Sequence, residues 1–244
     1  MSLHHNPRIV TSGLVFAWNG LDPSSWDGTS STHYDLVSRN PGTKTGASAI
    51  TKTNEHVFFT GGGTRTAYVS FPSANITVPT GNEGTWMWAS YFIDGGSIDH
   101  PNIGKETGGG WDGENGFVFG TGWGTDGPRW GIGGTNYNIY ANESLSDANY
   151  RTGVWQIYTV TYTRNSSTGL QTYLSDSNGT RLCDQRTTPD SAIGSNSNPL
   201  YIGATYSRGG NWNGYMDFVY MWNRALSASE VEQNYQAQKS RFGL

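Results

Sequence analysis

The chain has 244 residues, of which 14% are charged and 14% aromatic, with 34 glycines, one cysteine and a net charge of −4. Glycine is about twice as frequent as in an average soluble protein, and charged residues are about half as frequent. This composition excludes a basic nucleic-acid surface and an intrachain disulfide, and no apolar stretch reaches the length that a membrane span requires.

The N-terminal segment lacks the apolar core of a signal peptide. Residues 1–12 are predicted to form an arm before the first strand, either a docking segment or a frayed end. An apolar run at residues 14–18 then predicts the first strand of a single domain over residues 13–244. Because the chain has one cysteine and no visible leader, we expect it to fold in a reducing cytoplasm.

Short apolar runs bounded by Gly or Pro predict strands at residues 57–59 and 68–71. The longer run at residues 86–93 is apolar at consecutive positions, so both of its faces are expected to be covered. It therefore predicts a central strand.

Residues 94–150 are rich in glycine and carry several tryptophans, a pattern typical of long loops. Sugars bind to aromatic faces flanked by planar polar side chains. The same tryptophans are equally suited to packing on the sheet beneath their loops. The candidate carbohydrate-binding residues are Trp111, Asp112, Trp123, Trp130, Asn136 and Tyr137.

The second half of the chain alternates apolar and polar residues over 154–163, as in a strand. Asn178-Gly179 predicts a two-residue hairpin turn, with strands on either side of it. Residues 200–202 and 215–222 predict the last two strands.

The C-terminal segment contains the one predicted helix, at about residues 228–239. Ser227 is a favourable N-cap, and Glu230 three residues later completes a capping box. Because the helix is short, we expect it to dock on the sandwich rather than form a domain.

Nucleophilic catalysis has little support in the sequence. There is no Gly-x-Ser-x-Gly motif, and the histidines lack metal-ligand spacing. Cys183 lies on a predicted hairpin strand, where a lone cysteine is expected to serve packing.

The closing segment, residues 214–230, resembles the end of laminin G-like (concanavalin A-like) domains, with Trp222 in place of the usual tyrosine. There, a glycine opens the last strand, an aspartate follows, and the strand leads into Asn-Arg-Ala-Leu-Ser and a short helix. The strands at residues 155–183 and 200–203 are similar to that family too. The resemblance implies an all-β, antiparallel two-sheet jelly-roll sandwich with a short C-terminal helix.

The two ends of the chain resemble laminin G-like structural proteins of tailed bacteriophages. Residues 5–15, 19–26 and 35–40 resemble their opening, and residues 233–244 resemble their ending. This likeness implies a non-catalytic virion protein on a capsid or fibre, assembled in the host cytoplasm. Its expected partners are other virion proteins, further copies of itself and host-surface glycans, with no nucleic acid and no membrane.

Two alternatives stay open: a glycan-binding adhesion module, and a polysaccharide hydrolase. Glycoside hydrolysis needs two carboxylates that face one sugar. The Glu-x-Asp-x-x-Glu pattern of glucanases with this fold is absent, and Asp112 and Glu114 lie two residues apart in a loop. The sequence therefore predicts that the chain is not an enzyme.

Calcium is the cofactor that lectin-like sandwiches suggest, held by carboxylates and backbone carbonyls. Asp35 and Asp217 are the candidate ligands, although each is also suited to a turn or a surface. Asn19 stands where the resembling phage proteins often have an aspartate.

Overall fold

The computed structural model describes residues 7–46, 49–53, 55–61, 66–93, 100–107, 113–121, 128–138, 153–206 and 212–244. Within these ranges lie sixteen strands, one α-helix and short 3₁₀ segments at Ser73–Asn75 and Lys239–Phe242. The strands are β1 (Leu14–Asn19), β2 (Thr32–Tyr34), β3 (Pro41–Thr45), β4 (Ile50–Lys52), β5 (Val57–Phe59), β6 (Tyr68–Phe71), β7 (Glu83–Phe92), β8 (His100–Lys105), β9 (Phe117–Thr121), β10 (Pro128–Ile132), β11 (Thr135–Asn138), β12 (Trp155–Thr163), β13 (Leu170–Asp176), β14 (Gly179–Arg186), β15 (Leu200–Ile202) and β16 (Gly214–Trp222).

In the described residues the strands form two sheets of eight, and the strand pairs are antiparallel. Sheet 1 has the order β14-β13-β12-β7-β16-β5-β4, and β1 also pairs with β16. Sheet 2 has the order β11-β10-β9-β8-β15-β6-β3-β2. The predicted fold class, an antiparallel two-sheet sandwich, is confirmed.

Strand β7 lies in the middle of sheet 1, between β12 and β16. Its side chains alternate between the two faces. Trp86 and Trp88 point into the space between the sheets, whereas Met87 and Ala89 join the apolar cluster on the outer face. The prediction of a central strand covered on both faces is confirmed.

The core between the sheets is rich in aromatic residues. Trp88 stacks on Tyr158 with ring centroids 5.4 Å apart, and Trp86 packs against Phe117 at 5.0 Å. Aromatic rings bury large apolar areas, and burial of apolar area is the dominant favourable contribution to folding. Much of the aromatic content therefore stabilises the sandwich.

Helix α1 (Ala228–Gln238) packs on the outer face of sheet 1, where Val231 and Tyr235 are buried. Its first turn forms the predicted capping box between Ser227 and Glu230. Tyr235 Oη donates a hydrogen bond to the carbonyl of Asp176, which joins the helix to β13. None of the helices in the described residues is long and apolar enough to cross a bilayer.

The chain before β1 lies against this helix and β16. The Val10 N–H donates to Asn234 Oδ1 at 2.7 Å, and Trp222 Nε1 donates to the Val10 carbonyl at 2.8 Å. Gln233 Nε2 donates to the Arg8 carbonyl. Residues 8–10 of the predicted arm therefore belong to the packing of the sandwich, and residues 1–6 lie outside the described part.

Candidate functional site

Four aromatic side chains lie side by side across the outer face of sheet 1; we call Phe58, Tyr91, Trp155 and Tyr215 the aromatic row. Ring centroids are 5.8 Å apart for Trp155 and Tyr91, 5.6 Å for Tyr91 and Tyr215, and 5.1 Å for Tyr215 and Phe58. Each of the four is only partly buried. The row therefore offers aromatic surface to solvent.

The register of the sheet produces the row. Trp155 is the direct cross-strand partner of Tyr91, Tyr91 of Tyr215, and Tyr215 of Phe58. Directly paired residues on antiparallel strands point to the same face and come into contact. Two positions back along β7, Ala89 lies in the apolar cluster beneath the helix. Helix α1 thus covers one part of this outer face, and the row occupies another.

A cavity of about 280 Å³ opens beside the row. This volume is near the lower end of the roughly 300–1,000 Å³ range typical of small-molecule sites. Trp155 and Phe242 face one another there with ring centroids 4.6 Å apart. The cavity is lined by Tyr91, Gly153, Val154, Trp155, Asp176, Ser177, Phe242 and Leu244.

Polar groups of the β13–β14 hairpin border the cavity. Asp176 accepts hydrogen bonds from the Asn178 N–H at 2.8 Å and from Arg181 Nη1 at 3.0 Å. These bonds hold the turn at Gly179, whose φ of +93° suits the predicted hairpin. Ser177, at the tip, is exposed, so its hydroxyl is accessible from the cavity.

His56 lies beside the row, with its ring near those of Trp155 and Tyr215. Its Nδ1 is 2.8 Å from Asp217 Oδ2, and the Asp217 carboxylate is fully buried. Oδ1 of the same carboxylate accepts from the Val57 N–H at 2.9 Å. The side chain of His56 is 20% exposed, so the ring reaches the surface.

The loop residues predicted to bind carbohydrate are only partly covered by the structure. Trp111, Asp112 and Trp123 lie outside the described residues. Asn136 and Tyr137 lie in β11, at the edge of sheet 2, but their side chains are not described. The loop site therefore stays a prediction.

Trp130 lies in the core of the sandwich rather than at the surface. It is 1% exposed, and its Nε1 donates to Thr172 Oγ1 at 3.0 Å. Its ring packs edge to face on Trp88 at 5.4 Å. A sugar can stack only on an accessible face, so Trp130 contributes to core packing. This is the second of the two roles that the sequence left open for the tryptophans of this region.

Asp35, one candidate calcium ligand, holds a turn. Its carboxylate accepts hydrogen bonds from the N–H groups of Ala17, Val37 and Ser38 and from the Ser38 hydroxyl. Four donors occupy the acceptor sites that a carboxylate offers. The structure therefore gives Asp35 a structural role.

Asp217, the other candidate ligand, shares no hydrogen-bond partner with Asp35. In the part of the chain that the structure describes, no group of three His, Cys, Asp or Glu side chains could hold a metal ion. Calcium binding stays a prediction, with no ligand set to support it among those residues.

Cys183 is buried, and burial raises the pKa of its thiol. A protonated thiol is a poor nucleophile, which agrees with the packing role expected for this residue. Of the hydrolase candidates, Glu114 is exposed next to a turn and Asp112 lies outside the described residues.

The aromatic row was not predicted from the sequence. Residues 57–59 and 155–162 were both interpreted as strands, but nothing in the sequence places β5, β16, β7 and β12 side by side. The one local signal was the alternation in β12, which assigns Trp155 and Ile157 to the same face. Knowledge of the strand order was needed to add Tyr91 and Tyr215.

The comparisons with known proteins agree with this fold. Residues 61–232 match the model of the concanavalin A-like lectin/glucanases superfamily. No curated protein matches the chain.

Several solved structures are similar to the chain. Trypanosoma rangeli sialidase has a TM-score of 0.59 at 13% identity, over 95% of this chain and 34% of the sialidase. A second similar structure is domain 4 of AbnA, a GH43 extracellular arabinanase from Geobacillus stearothermophilus, in complex with arabinotriose. It has a TM-score of 0.54 at 12% identity, over 92% of this chain and 98% of the domain. Botulinum neurotoxin type C, whose cell entry depends on two ganglioside molecules, has a TM-score of 0.53 at 11% identity, over 93% of this chain and 51% of the toxin chain.

These matches contradict the prediction that the chain is not an enzyme, because the similar structures include sialidases and a domain of an arabinanase. The chain spans about a third of the length of the sialidases. At 11–13% identity, the likeness shows the fold. The absence of a catalytic motif from the sequence was therefore too weak a basis for excluding enzymes.

Proposed function

Since the chain belongs to the concanavalin A-like lectin/glucanase superfamily, we propose that it binds glycans on the aromatic row and in the adjoining cavity. The observation that carries the proposal is the direct contact of Trp155 with Tyr91 and of Tyr91 with Tyr215, three partly exposed side chains on the outer face of sheet 1. A glycan-binding module, one of the two alternatives that the sequence left open, thus replaces the virion protein as the main proposal.

Stacking is the main contribution that the row can make to binding. Trp and Tyr offer large, rigid apolar faces with a polar group at one edge. The C–H face of a sugar ring is apolar, whereas its hydroxyls need hydrogen-bond partners. The row supplies the first, and Ser177 and His56 beside it supply the second.

The cavity volume of about 280 Å³ suits a single sugar unit rather than a long chain. Longer glycans would extend from the cavity along the row, since Tyr215 and Phe58 continue it across two more strands. Such an arrangement favours an oligosaccharide with one unit held more tightly than its neighbours.

The similar structures support this proposal. The arabinanase domain, covered over 98% of its length, was solved with arabinotriose, and the toxin interacts with gangliosides. A module of this kind can stand beside a catalytic domain or carry activity itself. Incubation of each bound glycan with the protein, followed by analysis of reducing ends, would distinguish binding from cleavage.

A glycan array tests the proposal directly. The protein should bind a subset of neutral or sialylated oligosaccharides, in the presence of either calcium or a chelator. Arabinotriose and sialyllactose serve as defined probes for calorimetry. Absence of binding to the whole array, at protein concentrations up to the millimolar range, would refute the proposal.

A place on a virion is a second, compatible proposal, supported by the resemblance of both ends of the chain to phage structural proteins. Those two segments lie against each other, through Val10 with Asn234 and Arg8 with Gln233. Other virion proteins and further copies of the chain would then be its partners. Mass spectrometry of purified particles tests this: the protein should be present, and its absence would overturn the placement.

A further inference from the structure

We infer that His56, held by Asp217, is a specificity-determining residue that accepts a hydrogen bond at Nε2 from a hydroxyl of a sugar on the aromatic row. The inference rests on the proposed function and adds to it the group that the site recognises, a hydroxyl rather than a carboxylate. It is carried by the position of His56 and by the hydrogen bond that orients its ring.

The ring of His56 lies among aromatic residues of the site. Its centroid is 4.6 Å from that of Trp155, 5.7 Å from Tyr215 and 6.3 Å from Phe242. Phe242 and Trp155 both line the cavity. A sugar stacked on Trp155 or Tyr215 therefore comes within reach of the imidazole.

The buried carboxylate sets the tautomer. Nδ1 lies 2.8 Å from Asp217 Oδ2, and the carboxylate has no exposed surface. An ionised carboxylate can only accept hydrogen bonds, so Nδ1 must donate. In the neutral ring, Nε2 then carries a lone pair and no proton.

Nε2 is available to a ligand. It makes no hydrogen bond with any of the described residues, and it does not belong to the fully buried polar atoms without partners. Asp217, in contrast, uses both oxygens on His56 and Val57. Each oxygen of the orienting carboxylate therefore has a partner, and Nε2 of the oriented ring is left without one among the described residues.

In the neutral ring, the Nε2 atom of His56 can form a hydrogen bond only with a group of the ligand that donates one. A sugar hydroxyl can donate to Nε2 of the neutral ring, whereas a carboxylate at the same position cannot. The row thus stacks a sugar face, and His56 favours a hydroxyl over a carboxylate at the position that faces Nε2.

The first test needs no ligand. Nitrogen-15 NMR of the imidazole, recorded at a pH at which the ring is neutral, should show Nδ1 protonated and Nε2 unprotonated. Asp217→Asn should reverse this, because the amide oxygen would keep the Val57 N–H while the amide NH₂ donates to Nδ1. A merely structural role for Asp217 predicts no tautomer change in the folded variant, and an Nε2–H tautomer in the wild type would overturn the inference.

The second test is binding, measured by calorimetry with arabinotriose and with the neutral glycans that bind on the array. His56→Phe keeps an aromatic ring over Trp155 but removes the acceptor, so affinity should fall by about tenfold. His56→Gln can donate to Asp217 and still present an oxygen, and it should stay within about threefold of wild type. Thermal unfolding verifies that each variant is folded.

The outcomes separate the two proposals. Wild-type binding that is unchanged in a folded His56→Phe variant overturns the role of His56 and leaves glycan binding standing. If no glycan binds the wild type, the proposed function and this inference both fail.

Discussion

Asp217 Oδ1 accepts a hydrogen bond from the Val57 N–H at 2.9 Å, at the point where β16 passes from one partner strand to another. Before this point β16 pairs with β5 through Gly214 and Tyr215, and beyond it with β1. The Asp217 carbonyl accepts from the Gly20 N–H at 2.9 Å, just after β1 ends. One residue therefore joins two strands that share one edge of β16.

Asp217→Ala should lower the free energy of unfolding by about 3 kcal/mol, because two charge-assisted bonds are lost and the Val57 N–H is left without its acceptor. Urea denaturation measures this. The control is Asp190→Ala, which removes an exposed carboxylate paired with Arg164 and should cost about 0–1 kcal/mol. Equal costs for the two variants would show that Asp217 does not join the strands.

Stability should fall on acidification because of His33, which is fully buried and accepts at Nδ1 from Trp18 Nε1. Burial, with a smaller contribution from Lys44, lowers the pKa of His33 from 6.5 to about 3. Between these values the unfolded chain binds a proton that the folded chain does not. The free energy of unfolding should therefore fall as the pH drops below 6.5, by at most about 1.4 kcal/mol per pH unit for this residue.

His33→Gln provides the comparison, since it removes the titrating ring. The slope of unfolding free energy against pH between pH 6.5 and 4 should be smaller in this variant than in the wild type. Paired carboxylates such as Glu230, whose pKa the Arg224 guanidinium lowers to about 2, contribute the slope that remains. Identical slopes in both proteins would contradict the buried neutral state of His33.

Ser227→Ala should cost about 1 kcal/mol of stability, because it removes the side-chain acceptor of the Glu230 N–H at the start of α1. Ser227→Gly should cost only a few tenths of a kcal/mol, since glycine is tolerated at an N-cap. Thermal unfolding of the two variants side by side checks this. A larger loss for glycine than for alanine would contradict the capping role.

Asn19→Asp should stabilise the protein by up to about 1 kcal/mol at low salt, because Asn19 Oδ1 already accepts from Arg241 Nη2 at 3.2 Å. The aspartate would also keep the bond from the Leu21 N–H to the side-chain oxygen. Raising the salt concentration should reduce the gain through screening. Unfolding measured in low and high salt tests both points, and a destabilised variant would contradict them.

Local signals in the sequence predicted the local structure well. The Ser227–Glu230 capping box and the turn at Gly179 were both visible because each depends on residues a few positions apart. The central position of β7 followed from its apolar residues on both faces. These features need no knowledge of distant contacts.

The candidate site depends on long-range pairing, which explains why the sequence did not reveal it. Tyr91, Trp155 and Tyr215 come from three strands separated by more than fifty residues along the chain. Asp217 and His56 were each considered alone, as a metal candidate and as a histidine without spacing. Only the order of strands in sheet 1 brings them together.

The affinity of Trp155→Ala for the glycan that binds best on the array tests the central claim most directly. Tyr34→Ala is the matched control, because Tyr34 is 39% exposed and lies in sheet 2. Glycan binding on the aromatic row predicts a loss of at least about tenfold for folded Trp155→Ala, about 1.4 kcal/mol, and no change for Tyr34→Ala. An unchanged affinity in folded Trp155→Ala would contradict the account.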